Sequence, residues 1–291
     1  MEKNTIYKDI ALKKYNSWKV GGAAEQLYIC ADKDLLSEGI NHKKISPPFT
    51  FIGLGSNLLI RDGGVKGTVI IMHGGLSEIN LENNLFYAEA GVSCSKLAKF
   101  IARNSFMHSS FLAGIPGTIG GALAMNAGCY GSEIWNFVET VLVINDKGEQ
   151  FKRSKNEYII QYRKVINKKK LDEYFLAAYM QFPKGIREEA EEDIRVLLKK
   201  RKESQPLNWP TAGSTFRNPP NHFAAKLIEE CGLKGFTIGG AQISKKHANF
   251  IINLGDASAF DIEELINYTI KKVLEITKIC LETEIKIIGE Y

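Results

Sequence analysis

The sequence has 291 residues, 44% of them hydrophobic and 24% charged, with a net charge of +5. This is the composition of an ordinary globular chain, long enough for two or three cores, and it excludes a disordered or fibrous protein. Lysines are scattered apart from short runs such as 168–170, which favours a solvated surface over a nucleic-acid patch.

Other simple features narrow the class further. The five cysteines form no CxxC pair and no histidine stands at metal-ligand spacing, so we expect free thiols and no metal site. Residues 1–6 contain no basic segment followed by an apolar core, and no apolar run approaches the length of a membrane span. We therefore expect a cytoplasmic protein that does not enter the membrane.

The first two thirds of the chain predict strands and helices without a regular βαβ alternation, which favours an α+β fold. The expected elements are a strand near 25–30, a short helix from about Asp32, β-rich sequence over 49–72, a strand over 85–90, an amphipathic helix over 95–103, a hairpin of 138–145 and 149–152, a helix or turn over 156–161 and a strand over 175–182.

The composition changes at residues 186–205, which are charged throughout. Acids stand at the start of this segment and bases at its end, which matches a helix dipole, so we predict a long exposed helix and a domain boundary before Pro206. Beyond it we expect helices over 224–231 and 261–279 and a strand over 249–253. In the last strand, Glu282 and Glu284 would share one face with Lys286.

Residues 113–128 hold five glycines and four alanines, more than core packing requires. Pro116 suits the first turn of a helix, and the small residues after it would leave the N–H groups of that helix open to a phosphate or diphosphate. A small-residue helix packed tightly on a sheet is an equally good explanation of the composition alone.

A second glycine cluster lies at 51–60, where Gly53, Gly55, Ser56 and Asn57 interrupt an apolar strand. We interpret it as a strand, a tight anion-binding turn and a second strand. It is not the Rossmann fingerprint, because Leu58 stands where the third glycine would be. A simple turn is the alternative. Two such loops suggest one extended ligand with a diphosphate in its middle.

The order of these motifs resembles the UDP-N-acetylenolpyruvoylglucosamine reductase family, known as MurB. The resemblance is carried by residues 55–60, 62–63, 113–118 and 125–128 and extends from 16–22 to 281–286. It implies a vanillyl-alcohol-oxidase (PCMH-type) FAD-binding fold over 1–190, with lobes of about 1–60 and 61–190, and a C-terminal α+β substrate-binding domain over 191–291. It also implies a bacterial enzyme of peptidoglycan precursor synthesis with non-covalent FAD.

The resemblance implies three catalytic residues. Arg163 has no carboxylate three or four residues away, and the sequence alone favours a surface residue. The family pattern implies that it is the catalytic arginine. A guanidinium can bind a carboxylate through two hydrogen bonds. Ser214 alone suggests a helix cap or serine turn, and by resemblance it is the proton donor. Glu284, otherwise part of a solvated charge ladder, corresponds to the catalytic glutamate because it precedes Ile285 and Lys286.

The resemblance also implies ligand contacts. Those to FAD are Gly53, Gly55, Ser56, Asn57, Leu58, Gly114, Ile115, Pro116, Gly117, Thr118, Gly120, Gly121, Asn126 and Gly128. Those to the substrate are Tyr130, Tyr162, Asn218 and His247. The short interval between Arg163 and residues 175–179 resembles the compact type II members, which lack a loop that carries a substrate-binding tyrosine.

The function implied is reduction of UDP-N-acetylglucosamine enolpyruvate by NADPH through FAD, without nucleic acid or an obligate protein partner. Two alternatives stay open. Another flavin oxidase of the same fold would use the same glycine loops but react with dioxygen. A non-enzymatic nucleotide-binding protein would use the loops without needing Arg163, Ser214 and Glu284 together.

Overall fold

The computed structural model describes residues 1–291. The helices are α1 Lys33–Asn41, α2 Cys94–Arg103, α3 Ser110–Gly114, α4 Ile119–Met125, α5 Arg187–Ser204, α6 Ala224–Glu230 and α7 Ala259–Thr277. Short 3-10 turns cover Leu12–Tyr15, Ile134–Asn136 and Lys155–Glu157. None of the helices combines the length and apolar character needed to cross a bilayer.

The strands alternate with the helices in no fixed pattern, as expected for an α+β protein. They are β1 Ile6–Ala11, β2 Ala23–Ile29, β3 Phe49–Ile52, β4 Leu58–Ile60, β5 Val65–Ile71, β6 Ile79–Glu82, β7 Leu85–Glu89, β8 Gly128–Cys129, β9 Ser132–Glu133, β10 Val138–Asn145, β11 Gln150–Ser154, β12 Tyr158–Gln161, β13 Lys164–Asn167, β14 Glu173–Gln181, β15 Thr237–Ile238, β16 Ala241–Ile243, β17 Ile251–Asn253 and β18 Lys286–Ile288.

The chain forms two compact units, each built from stretches that are distant in sequence. Unit 1 contains Met1–Lys8, Gln26–Leu54 and Gly67–Arg201, and unit 2 contains Asp9–Glu25, Gly55–Lys66 and Lys202–Tyr291. The predicted division into 1–190 and 191–291 stays a prediction.

Unit 1 contains an antiparallel sheet in the order β11-β10-β14-β7-β6. Helix α2 is amphipathic, as predicted, and buries Leu97, Ala98 and Ile101 in the largest core of the unit, which also takes in residues of α3, α4 and the sheet. The Ser93 hydroxyl caps α2 by accepting from the Lys96 amide at 3.3 Å. A second core surrounds α1, whose N-cap Asp32 accepts from the Asp34 and Leu35 amides.

The structure corrects the expectation of a helix or turn over residues 156–161. Only Lys155–Glu157 forms a 3-10 turn, closed by a capping box between Ser154 and Glu157, while Tyr158–Gln161 is strand β12 and pairs antiparallel with β13. The aromatic and β-branched residues of β12 suit an extended chain. Arg163 therefore lies in the turn of a hairpin.

Unit 2 packs helices α6 and α7 around a three-stranded sheet in the order β15-β16-β17. Helix α7 begins with a capping box of Ser258 and Asp261 and buries Ile262, Leu265 and Ile266 along one face. Strand β18 pairs in parallel with β4, Lys286 opposite Leu58. The last strand is shorter than predicted, because it begins at Lys286 and leaves both Glu282 and Glu284 before it.

Candidate active site

The structure brings together one residue from each glycine stretch in unit 1. Gly53 lies so close to Thr118 that a Cβ on Gly53 would overlap the threonine hydroxyl. Thr118 is 1% exposed and stands at the N-cap of α4, yet its Oγ1 has no hydrogen-bond partner. A Cβ on nearby Gly121 would meet nothing within 4 Å except this oxygen, at 3.8 Å. Gly121 therefore borders open space, and the buried hydroxyl of Thr118 beside it has no partner.

The start of α4 differs from the open helix terminus that we predicted. Pro116 lies three residues before the helix rather than in its first turn. The Ile119 and Gly120 amides donate to the Val92 and Ala90 carbonyls, both at 2.9 Å, so these two N–H groups are already bound. A Cβ on Gly120 would lie 2.8 Å from the Ala90 Cβ, which shows that tight packing also explains the small residues here.

The other residues before α4 have mixed roles. Gly114 ends α3, and a Cβ there would lie 2.8 Å from the Cys129 sulfur. Ile115 is the C-cap of that helix, and the Gly117 carbonyl accepts from the Cys94 amide at 2.9 Å. Their predicted contacts with FAD remain predictions.

In unit 2, residues 55–58 form the turn into β4. Gly55 has φ +61°, and a Cβ there would overlap the Tyr15 carbonyl, so this position needs glycine for its own backbone. The Asn57 carbonyl accepts from the Lys286 amide at 2.9 Å, and its side-chain amide donates to the Glu284 carbonyl at 3.1 Å. Asn57 thus links the predicted FAD loop to the predicted catalytic glutamate. Ser56 precedes it in the turn, and Leu58 is the first residue of β4.

Arg163 stands at the turn of the β12–β13 hairpin with φ +55°. Its Nη2 donates to the Gly128 carbonyl at 2.8 Å and its Nη1 to the Asn126 carbonyl at 3.4 Å, while its guanidinium carbon lies 4.8 Å from the centre of the half-exposed Tyr162 ring. The end of the glycine-rich segment therefore fixes the arginine.

Asn126 explains how that segment holds its shape. It is fully buried, adopts φ +46° at the end of α4, and donates to the Glu133 carboxylate at 2.7 Å and the Gln161 carbonyl at 3.2 Å. These bonds use both amide hydrogens. Its side chain therefore acts within unit 1, tying α4 to β9 and β12, and its predicted contact with FAD remains a prediction.

Tyr130 and Cys129 follow Gly128. Tyr130 is 53% exposed with φ +53°, so its ring is available to a ligand. Burial raises the pKa of the Cys129 thiol to about 11, and the thiol donates to the Phe111 carbonyl at 3.1 Å. A protonated thiol is a poor nucleophile, which favours a packing role for this cysteine over a redox role.

Ser214 and Glu284 lie on hydrogen-bonded segments of unit 2. Ser214 forms an antiparallel bridge with Phe250, so it is not the helix cap that the sequence alone suggests. The Glu284 amide donates to the Thr215 carbonyl at 2.8 Å. Glu284 therefore contacts the backbone of Thr215, the residue directly after Ser214.

The two substrate-contact candidates of unit 2 are placed differently. The Asn218 side chain accepts from the Ala224 amide at 3.0 Å and so caps the start of α6. His247 is half-buried, its Nδ1 accepts from the Asn249 amide at 3.3 Å, and its ring meets Phe250 edge-on. Burial lowers the pKa of His247, which favours the neutral imidazole.

Sequence reasoning missed Asn249, a buried asparagine whose side chain binds the backbone of Phe216 at both its N–H and its carbonyl. The available signal was an asparagine directly before an apolar strand, which is a costly place for an unpaired amide. It also missed the close contact between Gly53 and Thr118, because patterns of neighbouring residues cannot predict a contact between positions so far apart in the sequence.

Comparison with known proteins agrees with these features. Residues 205–288 match the family model of the UDP-N-acetylenolpyruvoylglucosamine reductase C-terminal domain, and residues 41–154 match a FAD binding domain. Reductases of this name from Thiobacillus denitrificans and Nitrosococcus oceani are similar over nearly all of both chains. The first is 45% identical over 96% of this chain and 90% of its own, the second 46% identical over 97% and 94%.

A solved structure agrees as well. The UDP-N-acetylenolpyruvylglucosamine reductase (MurB) from Thermus caldophilus superposes with a TM-score of 0.83 at 32% identity, covering 97% of this chain and 99% of its own. The α+β class and the FAD-binding fold predicted from the sequence are confirmed.

The residues present in unit 1 fit FAD. A buried hydroxyl without a partner at Thr118, beside open space at Gly121, is the kind of polar contact that a bound cofactor would satisfy. Gly53, Thr118 and Gly121 are the residues of this unit that would hold it. The chain is a FAD-containing oxidoreductase and belongs to the UDP-N-acetylenolpyruvoylglucosamine reductase family.

Proposed function

We propose that this protein reduces UDP-N-acetylglucosamine enolpyruvate to UDP-N-acetylmuramate, with NADPH as the reductant, in peptidoglycan precursor synthesis. The observation that carries the proposal is 45–46% identity to reductases of this family over at least 96% of the chain. Bound FAD would accept a hydride from NADPH and deliver it to C3 of the enolpyruvyl group.

In this proposal Arg163 binds the enolpyruvyl carboxylate. Hydride arrival at C3 leaves negative charge on C2, and delocalisation spreads it onto the attached carboxylate. A guanidinium there stabilises the transition state more than the ground state, because the charge on the carboxylate grows during the reaction. The hydrogen bonds of Arg163 to the Gly128 and Asn126 carbonyls support this role, since a fixed donor needs no reorganisation.

Ser214 would supply the proton. Its Oγ–H bond breaks as a C2–H bond forms, and the electron pair of the O–H bond stays on the serine oxygen. Serine is a weak acid, yet the carbanion that forms at C2 is a strong base, so the transfer is feasible with a fixed donor.

Glu284 is the third catalytic group in this proposal, and Tyr130, Tyr162, Asn218 and His247 are the proposed substrate contacts.

An anaerobic titration tests the function. NADPH should bleach the flavin absorbance of the purified protein, and UDP-N-acetylglucosamine enolpyruvate should restore it in stoichiometric amount. If dioxygen restored the colour and the enolpyruvyl sugar did not, the protein would be an oxidase of the same fold. A protein that carries no flavin and accepts none would contradict the enzymatic proposal altogether.

Variants of two predicted catalytic residues separate the half-reactions. Arg163→Ala and Glu284→Ala should each slow flavin reoxidation by the enolpyruvyl sugar by about 10²-fold or more, the usual effect of losing one fixed electrostatic contact. Stopped-flow absorbance measures that step directly. Flavin reduction by NADPH should change far less, and an equal loss in both half-reactions would assign these residues to nicotinamide binding or folding instead.

A further inference from the structure

A hydrogen-bonded ladder in unit 2 connects the segments that carry Ser214 and Glu284. The Thr215 amide donates to the Asn249 carbonyl and the Glu284 amide donates to the Thr215 carbonyl, both at 2.8 Å. Ser214 faces Phe250 across the antiparallel bridge next to this contact. The backbone at 249–250 therefore lies directly against the residue proposed to donate the proton.

The Asn249 side chain adds a second attachment to the same segment. Its Oδ1 accepts from the Phe216 amide at 2.9 Å, and its Nδ2 donates to the Phe216 carbonyl at 2.8 Å. Asn249 is 4% exposed and Phe216 is 2% exposed, so neither Phe216 group can turn to water instead. One residue thus holds Thr215 with its backbone and Phe216 with its side chain.

A buried asparagine can serve stability alone, and Asn253 is a second buried asparagine in the same unit. Asn253 is 3% exposed, donates to the Trp18 carbonyl at 2.8 Å and accepts from the Gly255 amide at 2.7 Å. These bonds fix the chain after β17 and do not involve residues 214–216. Asn253 is therefore a matched control for Asn249.

We propose that Asn249 is a positioning residue for proton transfer from Ser214. By holding Thr215 and Phe216, it fixes the direction in which the Ser214 side chain leaves the backbone, and hence the place of the Oγ–H that breaks as the C2–H bond forms. A displacement of about 1 Å at a reacting group can cost on the order of 10²-fold in rate. The inference rests on the proposed function, in which Ser214 is the proton donor.

The test compares Asn249→Ala with Asn253→Ala. With the flavin pre-reduced by NADPH, stopped-flow absorbance follows reoxidation by UDP-N-acetylglucosamine enolpyruvate in H2O and in D2O. Asn249→Ala should slow this step by roughly 10- to 100-fold and raise its solvent isotope effect, because proton transfer becomes the slow event. Asn253→Ala should lose comparable thermal stability but keep the rate within a few-fold of wild type and its isotope effect unchanged.

Two results would overturn the inference. One is equal slowing in both variants. The other is slowing in Asn249→Ala with an unchanged isotope effect. Either result would mean that Asn249 has only a general structural role.

Asn249→Asp keeps the inference testable if the alanine variant does not fold. An ionised aspartate can accept from the Phe216 amide but cannot donate to the Phe216 carbonyl, whereas the protonated acid can do both. Burial raises the pKa of such a carboxyl group. The reoxidation rate of this variant, divided by that of wild type at the same pH, should therefore rise as the pH falls, and a flat ratio would contradict the proposal.

Ser214→Ala separates this inference from the function on which it rests. If Ser214→Ala reoxidises at the wild-type rate, serine is not the proton donor and the positioning role of Asn249 fails with it, whereas the proposed reduction of the enolpyruvyl sugar still stands. If Ser214→Ala is slow while Asn249→Ala is not, only the positioning role fails. The expected order is a loss of about 10²–10⁴-fold for Ser214→Ala and a smaller loss for Asn249→Ala.

Discussion

Two neighbouring glycines of helix α4 have opposite surroundings. A Cβ at Gly120 would lie 2.8 Å from the Ala90 Cβ, whereas a Cβ at Gly121 would meet only the Thr118 hydroxyl, at 3.8 Å. The same residue type therefore serves tight packing at one position and borders open space at the next. Substitutions at the two positions can separate folding from FAD binding.

We expect Gly121→Ala to weaken FAD binding without destabilising the flavin-free protein. Alanine is favoured over glycine inside helices by up to about 1 kcal/mol, so the melting temperature of the apoprotein should be unchanged or higher. The added methyl group would enter the space assigned to the cofactor. The measurements are the dissociation constant of FAD and the melting temperature after flavin removal.

Gly120→Ala provides the contrast, because its methyl group meets Ala90 rather than the assigned ligand space. Its apoprotein should melt at a lower temperature than wild type. Normal FAD affinity in Gly121→Ala would show that the cofactor does not lie against this face of α4.

At the scale of secondary-structure elements, an ion pair joins the end of β4 to helix α7 in unit 2. Arg61 donates from Nε and Nη2 to the two oxygens of Glu263, at 2.9 and 2.8 Å, and the Tyr291 hydroxyl donates to the same carboxylate at 3.0 Å. The Arg61 guanidinium also lies 4.0 Å from the centre of the Tyr291 ring. Glu263 is 6% exposed, so removing the arginine would leave a buried charge without its main partner.

Glu263→Gln should lower the melting temperature at neutral pH and lose that effect in acid. The hydrogen bond from Arg61, together with that from Tyr291 and the charge of Arg61, lowers the pKa of Glu263. A carboxyl group with a lowered folded-state pKa contributes stability above its unfolded pKa of about 4.3, and this contribution disappears as the pH falls through the folded-state pKa. Melting temperatures of both proteins between pH 3 and 8 test this, and a difference that persisted unchanged at the acid end would contradict it.

Elements with a strong local pattern were predicted well. The hydrophobic spacing of α2 and α7 and the charge order of α5 located these helices to within about two residues. The failures lie where a local pattern is ambiguous. Residues 158–161 are short and apolar and became a strand by pairing with β13, and the strand expected from Glu282 begins only at Lys286, opposite Leu58.

For the whole molecule, the sequence predicted the α+β class and the FAD-binding region, and it located the glycine loops. The sequence could not predict which segments of the chain form unit 2, nor which residues contact one another inside it. Residues 9–25 and 55–66 join the C-terminal segment there, and the Trp18 ring N–H donates to the Ile251 carbonyl, 233 positions away. Periodicity reports only the residues within a few turns or strand positions, so it contains no signal for such pairings. The roles of Asn249 and Thr118 depend on contacts of this kind.

At the scale of the whole molecule, two threonines, one in each unit, share an unusual feature that bears on ligand binding. Thr118 and Thr215 are almost completely buried, and the Oγ1 of each has no hydrogen-bond partner. A buried polar group left unpaired costs about 1–3 kcal/mol, and valine has nearly the same shape as threonine without the hydroxyl. Thr118→Val and Thr215→Val should therefore each raise the melting temperature of the flavin-free protein.

Only Thr118→Val should weaken the stabilisation by FAD. A ligand that binds the folded state adds RT ln(1 + [L]/Kd) to the free energy of unfolding, so a tenfold weaker affinity removes about 1.4 kcal/mol at saturating FAD. Differential scanning fluorimetry of the apoproteins, with and without added FAD, measures the change. The Thr118 hydroxyl lies beside Gly121, which borders the space assigned to the cofactor, whereas Thr215 lies in the ladder beside Asn249. An equal loss of FAD-dependent stabilisation in both variants, or none in Thr118→Val, would remove Thr118 from the cofactor site.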